Sequence, residues 1–192
     1  MSNVLNHIKM EKPKVFCGIP SRGRMHVSLL DFLMGLHKET RYQVQIGVGI
    51  SKYSVDDARN IVASKFLSTD ADYLLFLDDD NPPIKNPLDL VELDKDIIAC
   101  PVPSIRKGNG KDTKIEFYVF DKEGKEIPNQ SGLQEADLVG LQCTLIARRV
   151  LEKVNVFRTT STRTEDFNFC EQAKKEGYSR IFAHFDYITR HY

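Results

Sequence analysis

Short apolar runs closed by turn formers alternate with stretches of helical periodicity through the first hundred residues. Lys14 to Ile19 (KVFCGI) is apolar and is closed by Pro20, which predicts a first strand. His26 to Lys38 then places Val27, Leu30, Leu33 and Met34 at helical spacing. Tyr42 to Ile50 (YQVQIGVGI) alternates with period two, a second strand. Ser54 with Asp57 resembles a capping box and opens a helix to Thr69, in which Ile61, Val62, Lys65 and Phe66 follow at helical intervals. Asp72 to Leu77 (DYLLFL) is apolar on both faces, as a central parallel strand requires. Asn86-Pro87 starts a short helix with a cap and a first-turn proline, and Asp96 to Val102 (DIIACPV) is a fourth strand. Strand, helix, strand, helix, strand predicts an open α/β sheet with right-handed crossovers.

The second half is less regular. Ile105 to Lys114 is a glycine-bearing basic loop, with Arg106, Lys107, Lys111 and Lys114 able to hold a phosphate-bearing acceptor if they cluster. Ile115 to Ile127 reads as a hairpin turning through Lys122 to Lys125. Ala136 to Ala147 carries a strand, and Arg148 to Val154 about one turn of helix. Thr164 caps a helix from Glu165 to about Glu176, ended by Gly177, and the chain closes from Ser179 as extended structure. There is no internal repeat, low-complexity tract or linker. The expectation is therefore one domain over 1–192, with 1–13 a flexible or peripheral segment.

Composition narrows the class. With Lys+Arg and Asp+Glu both at 27, net charge offers no argument for nucleic acid, membrane or an acidic tail. The four cysteines form no CxxC pair, and the start lacks the basic and apolar regions of a signal peptide. Reduced, buried thiols in a cytoplasmic protein are expected. No apolar stretch approaches the ~20 residues of a membrane helix.

The chemistry concentrates in FLDDDNPP. Asp78, Asp79 and Asp80 follow a buried strand directly, and Pro82 and Pro83 prevent its continuation. In open α/β sheets ligands bind beyond the carboxyl ends of the strands. Asp78 and Asp80, two apart, can point to one side, and hard carboxylate oxygens suit Mg²⁺ or Mn²⁺. A solvated acidic turn capping the next helix accounts for the same residues. Glu165-Asp166 opens its helix where negative charge is favoured, and such a carboxylate can also serve as a general base. His191 by itself reads as a surface imidazole.

Taken together, these segments resemble the GT-A glycosyltransferases, particularly small family-2-like members common in phages, from about Lys14 to Tyr192. FLDDDNPP is similar to the family's strand-ending DxD motif, with Asp78 and Asp80 at its two acidic positions. RTEDFNFCEQAKKEGY resembles its E-D-x-x-F-C-x-x-A-x-x-x-G-Y helix. GIPSRGR resembles the nucleotide-holding first loop, DDARNIVASKFL the helix before the DxD strand, and VGLQCTLIARRVLEKV the acceptor-side strand. RHY places a histidine where the family often has a late metal ligand.

The resemblance implies a single α/β GT-A (nucleotide-diphospho-sugar transferase) domain. Its central sheet would be open, mostly parallel and flanked by helices, with a small antiparallel portion in the second half. It also implies a metal-dependent inverting glycosyltransferase, hexosyltransferase-like, using a nucleoside-diphosphate sugar, a UDP-sugar first, with Mn²⁺ or Mg²⁺. Asp80 and His191 would bind the metal together with Asp78, which would also contact the donor's ribose or sugar beside Asp79. Pro20, Ser21 and Arg22 would lie against base and ribose, with Arg59 and Asn60 near the donor. Asp166 would take the acceptor's proton, Glu165 being the alternative base. The acceptor (glycan, protein or modified nucleic acid) is not implied, nor is any membrane insertion. The location would be cytoplasmic, in a host's cytoplasm if phage-encoded. The proline pair and the early C-terminus suggest a minimal version without an appended acceptor domain or anchor. Two other classes stay open: a nucleotidyltransferase on a related sheet, although GIPSRGRM only partly matches a basic phosphate loop, and a non-catalytic nucleotide-sugar-binding module.

Overall fold

The computed structural model describes residues 11–107, 113–128 and 131–192, without the side chains of 105–107 and 113–114. The elements are β1 (Lys14–Ser21), α1 (Val27–Gly35), β2 (Gln43–Ile50), α2 (Val55–Leu67), β3 (Tyr73–Leu77), β4 (Ile97–Ala99), β5 (Ser104–Lys107) and β6 (Thr113–Glu116). They continue with β7 (Val119–Phe120), β8 (Leu133–Ala136), β9 (Leu138–Val139), β10 (Cys143–Ala147), α3 (Arg148–Leu151), α4 (Glu165–Lys175) and β11 (Ile181–His184). Seven strands form one sheet in the order β2-β1-β3-β10-β4-β11-β8. β1 pairs in parallel with β2 and β3, and β4 with β11. β10 runs antiparallel between β3 and β4, and β8 closes the far edge antiparallel to β11. The architecture is thus a mixed α/β sheet, mostly parallel in strand direction, with small antiparallel ladders beside it.

Alternation along the central strands builds two cores. Leu74 and Phe76 of β3 join Phe16, Val62, Phe66, Ile146 and Phe169 on the face covered by α2 and α4. Leu75 and Leu77 join Val15, Cys17, Ile19, Leu29, Leu33 and Leu145 on the α1 face. β3 is therefore buried on both sides, as its sequence requires. The four cysteines are free and buried. No helix among the described residues is long and apolar enough to cross a membrane.

Several expectations are corrected. β1 runs on through Pro20 to Ser21, because its ladder with β3 ends at Gly18 and only β2 flanks it beyond. In α1 the core face is Leu29 and Leu33. Val27, Leu30 and Met34 are exposed, since a helix apolar nearly all round does not reveal its buried side by spacing. The basic loop is bounded by a ladder of β5 with β6, and its middle, 108–112, lies outside the described residues, as do 1–10 of the N-terminal segment. The single hairpin is split at Tyr118, whose φ is +48°: Ile115 belongs to the β5–β6 ribbon, whereas Val119 and Phe120 pair with β9. The expected turn survives, with Asp121 N–H donating to Lys125 O at 2.9 Å.

Close approach of α2 to β1 and β2 fixes where the helix sits. A Cβ on Gly49 would lie 2.4 Å from Ala58 O and 2.7 Å from Val62 Cγ2. Nothing comparable surrounds Gly35, at the exposed end of α1 in ordinary helical conformation. Gly49→Ala is expected to destabilise by about 1–3 kcal/mol, the usual scale of overpacking. Gly35→Ala should be neutral or stabilise by up to about 1 kcal/mol. Chemical denaturation of both variants checks the contrast.

Candidate active site

The carboxyl end of β3 opens into the acidic turn, which is held from three directions. Asp78 N–H donates to Gln142 O at 2.7 Å, and Asn81 N–H closes the turn onto Asp78 O at 3.1 Å. His26 N–H, at the start of α1, donates to Asp79 O at 2.8 Å. From the far side comes the segment ending at Tyr192. Arg190 N–H reaches Pro82 O at 3.1 Å, Tyr192 N–H reaches Asp80 O at 3.3 Å, and Pro83 bridges Thr189 antiparallel. In that register His191 lies opposite Asn81, and its Nε2 stands 3.9 Å from Asp80 Oδ2. The Tyr192 ring stacks on His26, centroids 3.9 Å apart at 10°.

Below the turn lies a buried charge cluster. Arg59, on α2, is 1% exposed. Its Nη2 donates to Asp78 Oδ2 at 3.2 Å, its Nε to Glu165 Oε1 at 3.1 Å and its Nη1 to Leu141 O at 3.4 Å. Nη1 is also 3.0 Å from Asp78 Oδ1, an ion-pair contact without hydrogen-bond alignment, so that oxygen is buried with no hydrogen-bond partner among the described residues. Burial alone would lower the Arg59 pKa, but the charges of Asp78, Glu165 and Asp166 outweigh it and the guanidinium stays protonated. Burial pushes Asp78 above the usual carboxylate range despite Arg59. Asp166 is raised as well, again chiefly by burial. Its Oδ1 accepts from Phe167 N–H at 2.8 Å and from the Thr164 hydroxyl. The cap expected of Thr164 is therefore diverted: its hydroxyl goes to the Asp166 carboxylate and makes no backbone capping bond.

A cavity of about 650 Å³ opens between the turn and the loop after β1. Pro20, Ser21, Arg22, Asp78, Asp79 and Asp80 line it, so those expected residues meet at one place. Arg24, Met25, His26 and Tyr192 line it too, and sequence reasoning missed them. The loop is shaped by Ser21, whose Oγ donates to Arg24 O and accepts from Gly23 N–H, both at 2.9 Å, with Gly23 at φ +94°. Arg59, Asn60, Glu165, Asp166 and His191 do not line the cavity. Arg59 lies under its floor, and the Asn60 amide clasps the backbone of Phe157, giving to its O at 2.9 Å and taking from its N–H at 2.8 Å. A signal for the burial of Arg59 was present: Arg59, Val62, Ala63 and Phe66 form one i, i+3, i+4, i+7 stripe.

No protein-family model and no curated protein matches the chain. Among solved structures, A197 from STIV superposes with a TM-score of 0.65 at 24% identity, over 93% of this chain and 85% of that one. The chain therefore shares that fold. S. aureus TarS gives a TM-score of 0.47 at 14% identity, over 94% of this chain and 36% of TarS. TarS 1-349 in complex with UDP-GlcNAc gives 0.48 at 14% identity, over 94% and 58%. Likenesses that weak carry no argument about this chain, which spans little more than a third of TarS.

Because Arg59 neutralises two buried carboxylates, Arg59→Met is expected to destabilise by about 3–5 kcal/mol, the scale for orphaning a buried charge. Adding Asp78→Asn and Glu165→Gln to Arg59→Met should restore part of that loss. Denaturation midpoints of the single and triple variants test the assignment.

Proposed function

We propose that the chain is a metal-dependent inverting glycosyltransferase, folded as one domain. It would move a sugar from a nucleoside-diphosphate sugar, a UDP-sugar first, to an acceptor hydroxyl. The observation that carries this reading is the pairing, at 3.9 Å, of His191 with Asp80, which lines a cavity of about 650 Å³ at the sheet's carboxyl edge. The buried free thiols fit a reducing, cytoplasmic setting.

The donor set suits a hard ion of the Mg²⁺ or Mn²⁺ type. Such ions keep several waters and bind through one or two side chains plus substrate phosphates. Asp80 and His191 would be those side chains. Among the described residues no group of three or more His, Cys, Asp or Glu converges on one point, so the diphosphate would complete the shell. Asp78, although expected beside them, gives its carboxylate to Arg59, which leaves it a donor contact on the cavity wall. A bound divalent ion would neutralise the charge that grows on the departing diphosphate.

The remaining work falls to protein side chains. Pro20, Ser21 and Arg22 form the wall against which base and ribose would rest, with Arg22 and Arg24 offering cations to the phosphates. Glu165 is occupied by Arg59, so Asp166 is the carboxylate left to accept the acceptor's proton as its oxygen attacks the anomeric carbon. Thr164 and Phe167 N–H fix Oδ1 of that carboxylate, and burial makes it a stronger base than an exposed aspartate.

The direct test is release of free UDP from a panel of UDP-sugars, with Mn²⁺ and with chelator; no metal-dependent release with any donor would refute the reading. Mn²⁺ and UDP together should raise the melting temperature more than the sum of their separate effects. His191→Ala should abolish that synergy and leave melting in chelator unchanged. Asp166→Asn should lower turnover by at least ~10²-fold with donor binding retained. Activity needs Asp166 deprotonated, and its pKa lies above the ordinary 3.8. The acid limb of kcat/KM should therefore fall at higher pH than an ordinary aspartate would give. A profile flat down to that ordinary value would exclude Asp166 as the base.

A further inference from the structure

Asn81 follows the three aspartates and is 2% exposed. Its backbone is pinned by the turn bond to Asp78 O. Its Nδ2 donates to Asp80 Oδ1. Asp80 is otherwise a half-exposed carboxylate, and its other oxygen, Oδ2, is the one that faces His191. The amide cannot be turned around, because the reverse orientation would set a carbonyl oxygen against a carboxylate. In this orientation Asn81 Oδ1 is buried with no hydrogen-bond partner among the described residues. Unpaired buried polar atoms are scarce in folded proteins and mark strain, catalysis or an absent ligand shell. A turn that served only to cap the next helix would gain nothing from a buried amide with half its capacity unused. One whose task is to hold a carboxylate in a single orientation would.

We infer that Asn81 is a positioning residue of the proposed metal site. It fixes Oδ1 of Asp80 so that Oδ2 stays aimed at the ion shared with His191. This inference rests on the metal reading above and adds a residue to it. The antiparallel register supports it, since Asn81 is the position opposite His191, so one short ladder sets both partners of the ion. Groups that orient metal ligands typically change metal affinity by 10–100-fold when removed.

The experiment is calorimetric titration of MnCl₂ into protein saturated with UDP, for wild type, Asn81→Leu, Asp80→Ala and the double variant. Leu conserves volume and removes both hydrogen-bonding groups; Asn81→Ala substitutes for it if Asn81→Leu does not fold. The expected result is at least ~10-fold weaker Mn²⁺ binding in Asn81→Leu. In the Asp80→Ala background Asn81→Leu should add less than about twofold, because the carboxylate it orients is gone. Melting in chelator should be unchanged or higher, since an unpaired carbonyl has been removed, whereas a merely structural amide would lower it. Wild-type affinity in Asn81→Leu, or full additivity with Asp80→Ala, overturns the inference and leaves the metal site standing. Failure of wild type itself to bind Mn²⁺ with UDP overturns both.

Discussion

One buried guanidinium organises the carboxyl edge of this sheet. Arg59 joins α2, β3 and α4 through Asp78 and Glu165, three elements with no covalent reason to meet there. Burying a single arginine would be prohibitive without those partners, and burying either carboxylate without Arg59 equally so. Each charge is therefore a condition for the others. The close seat of α2 on Gly49 sets the height of Arg59, and Arg59 in turn sets which carboxylates are tied into the scaffold. Asp78 and Glu165 are taken by the scaffold; Asp80 and Asp166, one or two residues along the same turns, are left facing elsewhere.

The acidic turn solves its self-repulsion by separation. Asp78 is neutralised from below by Arg59, while Asp80 is turned outward and oriented by Asn81. The strand-like segment from Thr189 to Tyr192 adds a partner that the prolines shape. Pro82 and Pro83 cannot donate, so beside them the ladder is carried by the amides of Arg190 and Tyr192 and by the ring stack of Tyr192 on His26, and only past the prolines does Ile84 N–H return a bond, to Ile188 O. Helix start, first-strand loop, acidic turn and closing segment thereby share one small volume.

Much of the scaffold was legible in the sequence. β1, β3 and β4 carry apolar runs buried on both faces and β2 the alternation of an edge strand, and Asp78 to Asp80 marked a strand's end because three like charges in a row do not continue a buried strand. What stayed hidden depended on distant partners. β7, β8 and β9 are two to four residues long and exist through ladders with remote segments, so no local period announces them. The exposed side of α1 was misread because Val27, Leu30 and Met34 are as apolar as the residues that are buried. Asn60 looked like a donor contact because its neighbours did, yet its amide is spent on a backbone almost a hundred residues away. The division of labour between Glu165 and Asp166 could not be read either, since only the third dimension brings Arg59 to one and not to the other.

The closing segment also gives the site a history within each molecule's synthesis. Asp80 and His191 are separated by more than half of the chain, so at translation rates of roughly 5–20 residues per second the aspartates exist for on the order of ten seconds before their imidazole does. During that interval β1, β2 and β3 can already pair, because their ladders with one another lie within the portion that is complete, whereas β4 waits for β10 and β11. The acidic turn must wait in a half-built state, its outer carboxylate facing water. The edge around the acidic turn is thus completed later than the β1–β3 part of the sheet, once β11 and the segment after it have docked.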